Sequence, residues 1–148
     1  MKTYKKTQYG IFLSLFLAII ALAVFYAYYF QIGSKPIPLI PAVIVLFIFV
    51  LSILLFYKLT ILIDTEKITA TFGIGFIKKS VLIKDIDISS IEKVKMPWYL
   101  GIGIRLTAKG WLWNVKVGDS IYFKTKINTF LVGTDDFDTI KNILRNEN

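Results

Sequence analysis

The chain contains no cysteine and no histidine among its 148 residues. Without cysteine there is no disulfide, no thiolate nucleophile and no sulfur-ligated metal, although this absence assigns no compartment. Without histidine, the commonest metal ligand and the commonest general acid or base are both missing. Charge is also scarce over one long region: residues 11–57 carry Lys35 alone. All ten acidic residues fall within 59–148, together with thirteen lysines and arginines, a net charge of +3 for that part. What the chain has in excess is apolar surface, at 55% hydrophobic residues. That excess is concentrated near the N-terminus, so the chain divides into a membrane part, residues 1–58, and a water-soluble part, residues 59–148.

Two runs carry the membrane part. IFLSLFLAIIALAVFYAYYF (11–30) and LIPAVIVLFIFVLSILLFY (39–57) are free of charge. At about 1.5 Å per residue, a helix of either length spans a hydrocarbon core roughly 30 Å thick. Between them QIGSKPIP, with Gly33, Pro36 and Pro38, cannot continue a helix, so the chain turns back as a helical hairpin. Lys2, Lys5 and Lys6 precede the first helix and Lys58 follows the second, against Lys35 in the loop. This asymmetry places both termini in the cytoplasm and the loop outside. Tyr26, Tyr28 and Tyr29 near one boundary, and Tyr9 and Tyr57 near the other, stand where aromatic belts form. A cleaved signal peptide is the alternative: Ala21-Leu22-Ala23 fits the small-residue cleavage pattern, but the apolar run continues past it through VFYAYYF. Neither helix holds an ionisable residue, which leaves a proton or ion pathway through this hairpin without its usual groups.

From Leu59 the pattern changes to period two. Strands are expected at 59–64, 67–72, 79–84, 92–96, 101–107, 111–117, 120–126 and 129–133, with a short turn-like piece at 85–91. In the second strand Ile68, Ala70 and Phe72 share one face. In GIGIRLT (101–107), Ile102, Ile104 and Leu106 oppose Gly101, Gly103, Arg105 and Thr107; Ala108-Lys109-Gly110 is the turn to the next strand, where Trp111, Trp113, Val115 and Val117 share a face. Residues 134–145 carry Phe137, Ile140, Ile143 and Leu144 at helical spacing. Thr134 or Asp135 can cap that helix, and Lys141 and Arg145 toward its end suit the helix dipole.

This order of elements resembles the bacterial pleckstrin-homology (PH)-like membrane proteins, in which a two-helix hairpin precedes a PH-like domain. The resemblance rests on the opening hairpin LTILIDTEKITATFG, the segment IDISSIEKVKM, the stretch GIGIRLTAKGWLWNV and the closing FLVGTDDFDTIKNIL. The third is similar to a recurrent G-I-R-x-T-x-x-G-W-x-Y-N-V pattern, with Trp113 where tyrosine is common. The fourth is similar to I-G-T-D-x-P-E-x-L, with Phe137 and Asp138 where Pro-Glu is usual. It implies a mainly β fold: a strongly bent antiparallel sheet or open barrel, one end closed by the C-terminal helix. Related eukaryotic domains often bind phosphoinositides through a basic first hairpin. Here that turn reads Asp64-Thr65-Glu66-Lys67, so the property is not carried over.

Candidate chemistry is thin. The glycine pairs Gly73/Gly75 and Gly101/Gly103 lack the third glycine and the following helix of a phosphate loop. Asp85 and Asp87 supply too few oxygens for a cation cage, and Asp135, Asp136 and Asp138 are accounted for by helix capping. No catalytic residue, cofactor or metal is assigned, and the chain is read as a non-enzyme. Dispersed basic residues interleaved with acidic ones argue against nucleic acid. The candidate membrane or partner contacts are Trp98, Tyr99, Arg105, Lys109, Lys78, Lys79, Lys93 and Lys95, with Trp111 and Trp113 assigned to packing. The expected partners are the lipid bilayer and a protein, self-association included. The expected role is a binding or scaffold module at the inner membrane face, with anionic-lipid sensing through the basic residues as the alternative.

Overall fold

A computed structural model of the chain describes residues 4–146; Lys2, one of the N-terminal lysines, lies outside the described residues. In chain order the elements are β1 (Tyr4–Tyr9), α1 (Ile11–Tyr29), α2 (Leu39–Phe56), β2 (Lys58–Ile63), β3 (Lys67–Phe72) and β4 (Ile77–Leu82). There follow β5 (Ile86–Lys95), β6 (Gly103–Thr107), β7 (Gly110–Asn114), β8 (Asp119–Thr125), β9 (Thr129–Gly133) and α3 (Phe137–Asn146).

The helices α1 and α2 form the expected hairpin, and both are long and apolar enough to cross a bilayer. Apolar residues cover them all round and, of the two, only α2 buries a residue, Ala42. A helix apolar on every side needs either a large core or lipid around it. The reversal is made at Gln31 and Gly33, both with positive φ, and the Gln31 side chain donates back to the Tyr28 carbonyl at 2.7 Å.

The rest is two sheets with α3 against them. The first has strand order β1-β2-β3-β4, antiparallel throughout; the second has order β5-β8-β9-β7-β6. The sheets do not close into a barrel. The antiparallel expectation fails at one pair, because β9 lies between β8 and β7 and runs parallel to β7, Trp111 opposite Phe130 and Trp113 opposite Val132. The period-two reading holds well in β2 and β3: Leu59, Ile61, Ile63, Ile68, Ala70 and Phe72 are all buried.

Several elements differ from expectation: β4 ends at Leu82, β6 starts at Gly103 and β7 ends at Asn114, and three further differences are larger. Tyr4–Tyr9, placed with the membrane hairpin by sequence, is an edge strand of the first sheet, paired along its whole length with β2 from Tyr4–Ile63 to Tyr9–Lys58. Residues 86–95 form one strand, not a turn followed by a strand. Its pairing with β8 shifts register between Asp87 and Glu92. There the Asp87 carboxylate accepts the Ser89 amide and hydroxyl, and the Ser90 hydroxyl accepts the Lys124 amide at 2.8 Å. Turn chemistry is thus absorbed as an irregularity inside a ladder. Finally, α3 starts at Phe137 and not at 134, since the Thr134 amide still donates to the Asp119 carbonyl at 2.9 Å. The Thr134 hydroxyl accepts the Asp136 amide, and Asp136 is the residue ahead of the helix.

The core lies between the inner faces of both sheets and the buried side of α3, where Ile140 and Leu144 are fully enclosed. A line of ring contacts runs through it: Phe56 to Phe72 at 5.4 Å, Phe72 to Trp113 at 5.5 Å, Trp113 to Phe130 at 5.8 Å and Phe130 to Phe123 at 5.6 Å. The last residue of α2 is therefore packed into the core of the β domain. Phe72 and Phe123, fully buried, each contribute about 1.5–3 kcal/mol on burial.

Candidate functional site

Each sheet ends in an edge strand, β4 in one and β6 in the other. Between them lies a groove of about 500 Å³. One wall is β4 from Lys79 to Leu82; the floor is Ile104, Trp111, Trp113 and Phe130; the far rim is the Lys126–Asn128 turn between β8 and β9. The volume falls in the range of ordinary ligand clefts, about 300–1,000 Å³.

Local sequence explains the walls. β4 alternates only weakly: Ile77 and Val81 are half-buried against the core, while Lys78, Lys79, Ser80 and Leu82 are exposed, as suits an edge strand. The rim turn is locked by the Thr125 hydroxyl, which accepts the Asn128 amide at 3.0 Å and donates to its carbonyl at 2.7 Å. That turn presents Ile127, 87% exposed. The two tryptophans divide: Trp113 is 8% exposed and belongs to the core, while Trp111 is 48% exposed and faces the groove. Asp85 lines the same groove, and its carboxylate pairs with Lys126 at 3.1 Å. The surface is apolar with a polar edge.

The stretch around Gly101 and Gly103 is a braced turn. Asn114 accepts the Gly103 amide at 3.1 Å and donates to the Gly101 and Lys116 carbonyls. The Arg105 guanidinium folds back over Gly101 and donates to the Ile102 carbonyl. Both glycines have positive φ, so their role is backbone conformation.

The residues singled out from sequence do not form one patch. Trp98 and Tyr99 are exposed in a single 3-10 turn, their rings edge to face at 6.4 Å. Lys78 and Lys79 lie on β4, and of these Lys79 lines the groove. Lys93 and Lys95 lie on β5, the opposite edge of the second sheet from β6. Lys93 pairs with Asp119 at 2.8 Å, a hydrogen bond that raises its pKa. Lys109 pairs with Glu92 at 2.6 Å and lies over the Tyr122 ring. The sequence alone does not point to Val81, Ile104, Phe130 or Ile127 as groove residues. Each sits on a different element, and their only sequence signal is an apolar residue at an edge or a turn.

At the start of α3 a second cluster ties β1 to the helix. The Tyr4 hydroxyl donates to Asp136 at 2.6 Å, and burial together with that bond pushes the phenol well above its usual range. Hydrogen bonds from Thr139 and then Tyr4 hold the Asp136 carboxyl below the usual carboxylate range. Lys116 does the same for Asp135, at 2.9 Å. Among the described residues, no three carboxylates gather as a metal site. Comparison with known proteins found no matching family model, no matching curated protein and no matching solved structure.

Proposed function

We propose that this chain is a non-enzymatic, membrane-anchored module of PH-like type that holds a protein-binding groove at the cytoplasmic face of a bacterial cell membrane. The observation that carries this reading is the edge of β4 lying open beside the apolar floor of Ile104, Trp111 and Phe130. An extended segment of a partner adds to such an edge through main-chain hydrogen bonds, and alternate side chains enter the trough. The PH-like assignment is supported by two sheets with a C-terminal helix packed on their core. Lys5, Lys6 and Lys58 flanking the apolar helices, against Lys35 in their loop, support the cytoplasmic placement of both termini. The lack of histidine and cysteine supports a binding role over catalysis. Anionic-lipid sensing has less support, since Lys93 and Lys109 are engaged by Asp119 and Glu92.

The test is site-specific photo-crosslinking in cells, with the reactive residue placed at Ser80 or Ile127 in the groove and at Asn142 on α3. Adducts to one protein from the two groove positions, absent from position 142 and lost on Trp111→Ala, are the expected result. A ladder at twice the chain's mass would identify that protein as a second copy. Equal labelling from all three positions would remove the groove from the account.

A further inference from the structure

The turn between β3 and β4, Gly73 to Phe76, carries two exposed apolar side chains with no role in the core. Ile74 is 51% exposed and Phe76 is 83% exposed. The fold determines where this turn lies. The strand β2 runs away from the end of α2, β3 returns toward it, and the Gly73 amide donates to the Lys58 carbonyl at 2.8 Å. Gly73 itself is pressed against the last turn of α2. A Cβ built on it would come 2.2 Å from the Leu54 carbonyl oxygen and 2.4 Å from that of Leu55. Leu54 and Leu55 belong to the apolar span of α2, which ends at Phe56. The turn therefore lies at the end of the first sheet that faces the helices, against the C-terminal end of α2.

We propose that this turn inserts into the bilayer, with Ile74 and Phe76 in contact with lipid acyl chains, as a third membrane contact beside the two helices. The proposal rests on the membrane-spanning reading of α1 and α2 and is independent of the groove. The side chains of Ile74 and Phe76 leave water at a site continuous with the lipid-facing surface of α2. Lys78, exposed two residues further on, stands on the headgroup side, where a lysine stem lies along apolar surface and its ammonium meets anionic phosphates.

The absence of native cysteine allows a clean test. Single substitutions Ile74→Cys, Phe76→Cys, Leu54→Cys and Ile127→Cys are made in the full chain, labelled with an environment-sensitive fluorophore and reconstituted in phosphatidylethanolamine–phosphatidylglycerol vesicles. Quenching is measured with a nitroxide-labelled phospholipid in the membrane and with iodide in the water. The expected result is loss of fluorescence to the nitroxide lipid at positions 74 and 76 to the same extent as at 54, while position 127 responds to iodide alone. Labels at 74 and 76 that behave like 127 while 54 stays lipid-quenched would overturn the insertion and leave the helices in place. Iodide quenching at 54 as well would overturn the membrane-spanning reading itself, and the proposal with it. Positions 74 and 76 are both exposed, so each substitution leaves the core intact and either one decides the question.

Discussion

The amide of Gly10 donates to the carbonyl of Tyr57 at 2.8 Å, one rung beyond the Tyr9–Lys58 pair that ends the β1–β2 ladder. The ladder thus passes directly into the two helices. The helical hairpin is an insertion at the tip of a β-hairpin, with no linker between the apolar helices and the β domain. The β domain therefore needs residues on both sides of the insertion.

This dependence can be measured. Replacing residues 11–56 by Asn-Gly, a dipeptide that closes two-residue hairpins, should give a folded domain that stays in the aqueous fraction. A fragment of residues 59–148 lacks β1 and with it the Tyr4 and Gln8 hydrogen bonds. It should be less stable than the closed hairpin by at least about 2 kcal/mol, since two buried or part-buried bonds are lost. Thermal melts of the two proteins by tryptophan fluorescence provide the comparison.

Gln8 is buried on β1, and its amide donates to the Gly133 carbonyl at 2.6 Å. Gln8→Met keeps the length of the side chain and removes the donor. The stranded carbonyl should cost about 1–3 kcal/mol, seen as a lower melting midpoint of the detergent-solubilised chain.

Gly73 combines a φ of +50° with backbone oxygens of Leu54 and Leu55 at its absent Cβ. Gly73→Ala meets both the left-handed strain of about 1–2 kcal/mol and a clash that no side-chain rotation relieves. The melting midpoint should fall by about 4–8 °C for each kcal/mol lost. Gly118→Ala, with φ of +143° and open space around it, meets conformational strain without any clash.

Stability should decline in acid, in part through Asp136. Hydrogen bonds from Thr139 and Tyr4 hold its folded-state pKa below the unfolded value, so its contribution is complete above the unfolded pKa, about 3.9. It is lost as pH falls through the folded pKa. Asp136→Ala should cost about 1 kcal/mol at neutral pH, as lost helix caps do. The gap between variant and parent should close as pH drops below the usual carboxylate range. A gap that persists unchanged in acid would remove the ionised carboxylate from the account.

Trp111 and Trp113 should part company on substitution. Trp113→Ala opens the core between Phe72 and Phe130 and should cost about 3–5 kcal/mol. Trp111→Ala, at a half-exposed site on the groove floor, should cost under about 1 kcal/mol while abolishing groove crosslinks. Denaturant titration and the crosslinking yield report the two effects separately.

The candidate site was only partly open to a reading of the sequence. Two tryptophans two residues apart signal a shared strand face, but which one is enclosed depends on Phe72 and Phe130, about forty and twenty residues away. Lys78, Lys79, Lys93 and Lys95 read as one basic set, yet they sit on β4 and β5, in different sheets. Charge type is local information; the partner that engages a charge, as Asp119 engages Lys93, is not.

The amino-acid order by itself determined the two membrane-length helices, the strand faces of β2 and β3 and the amphipathic stripe of α3, because each follows from the spacing of apolar residues within one element. Only the tertiary structure decided the rest: Tyr4–Tyr9 as a strand, β9 slotted parallel beside β7, and the groove between β4 and β6. The one buried residue of the Tyr4–Tyr9 strand, Gln8, is polar, and its pairing partner lies some fifty residues away. Such a strand exists because β2 offers it an edge and Gly133 and Asp136 accept its side chains, and no periodicity within six residues carries that information.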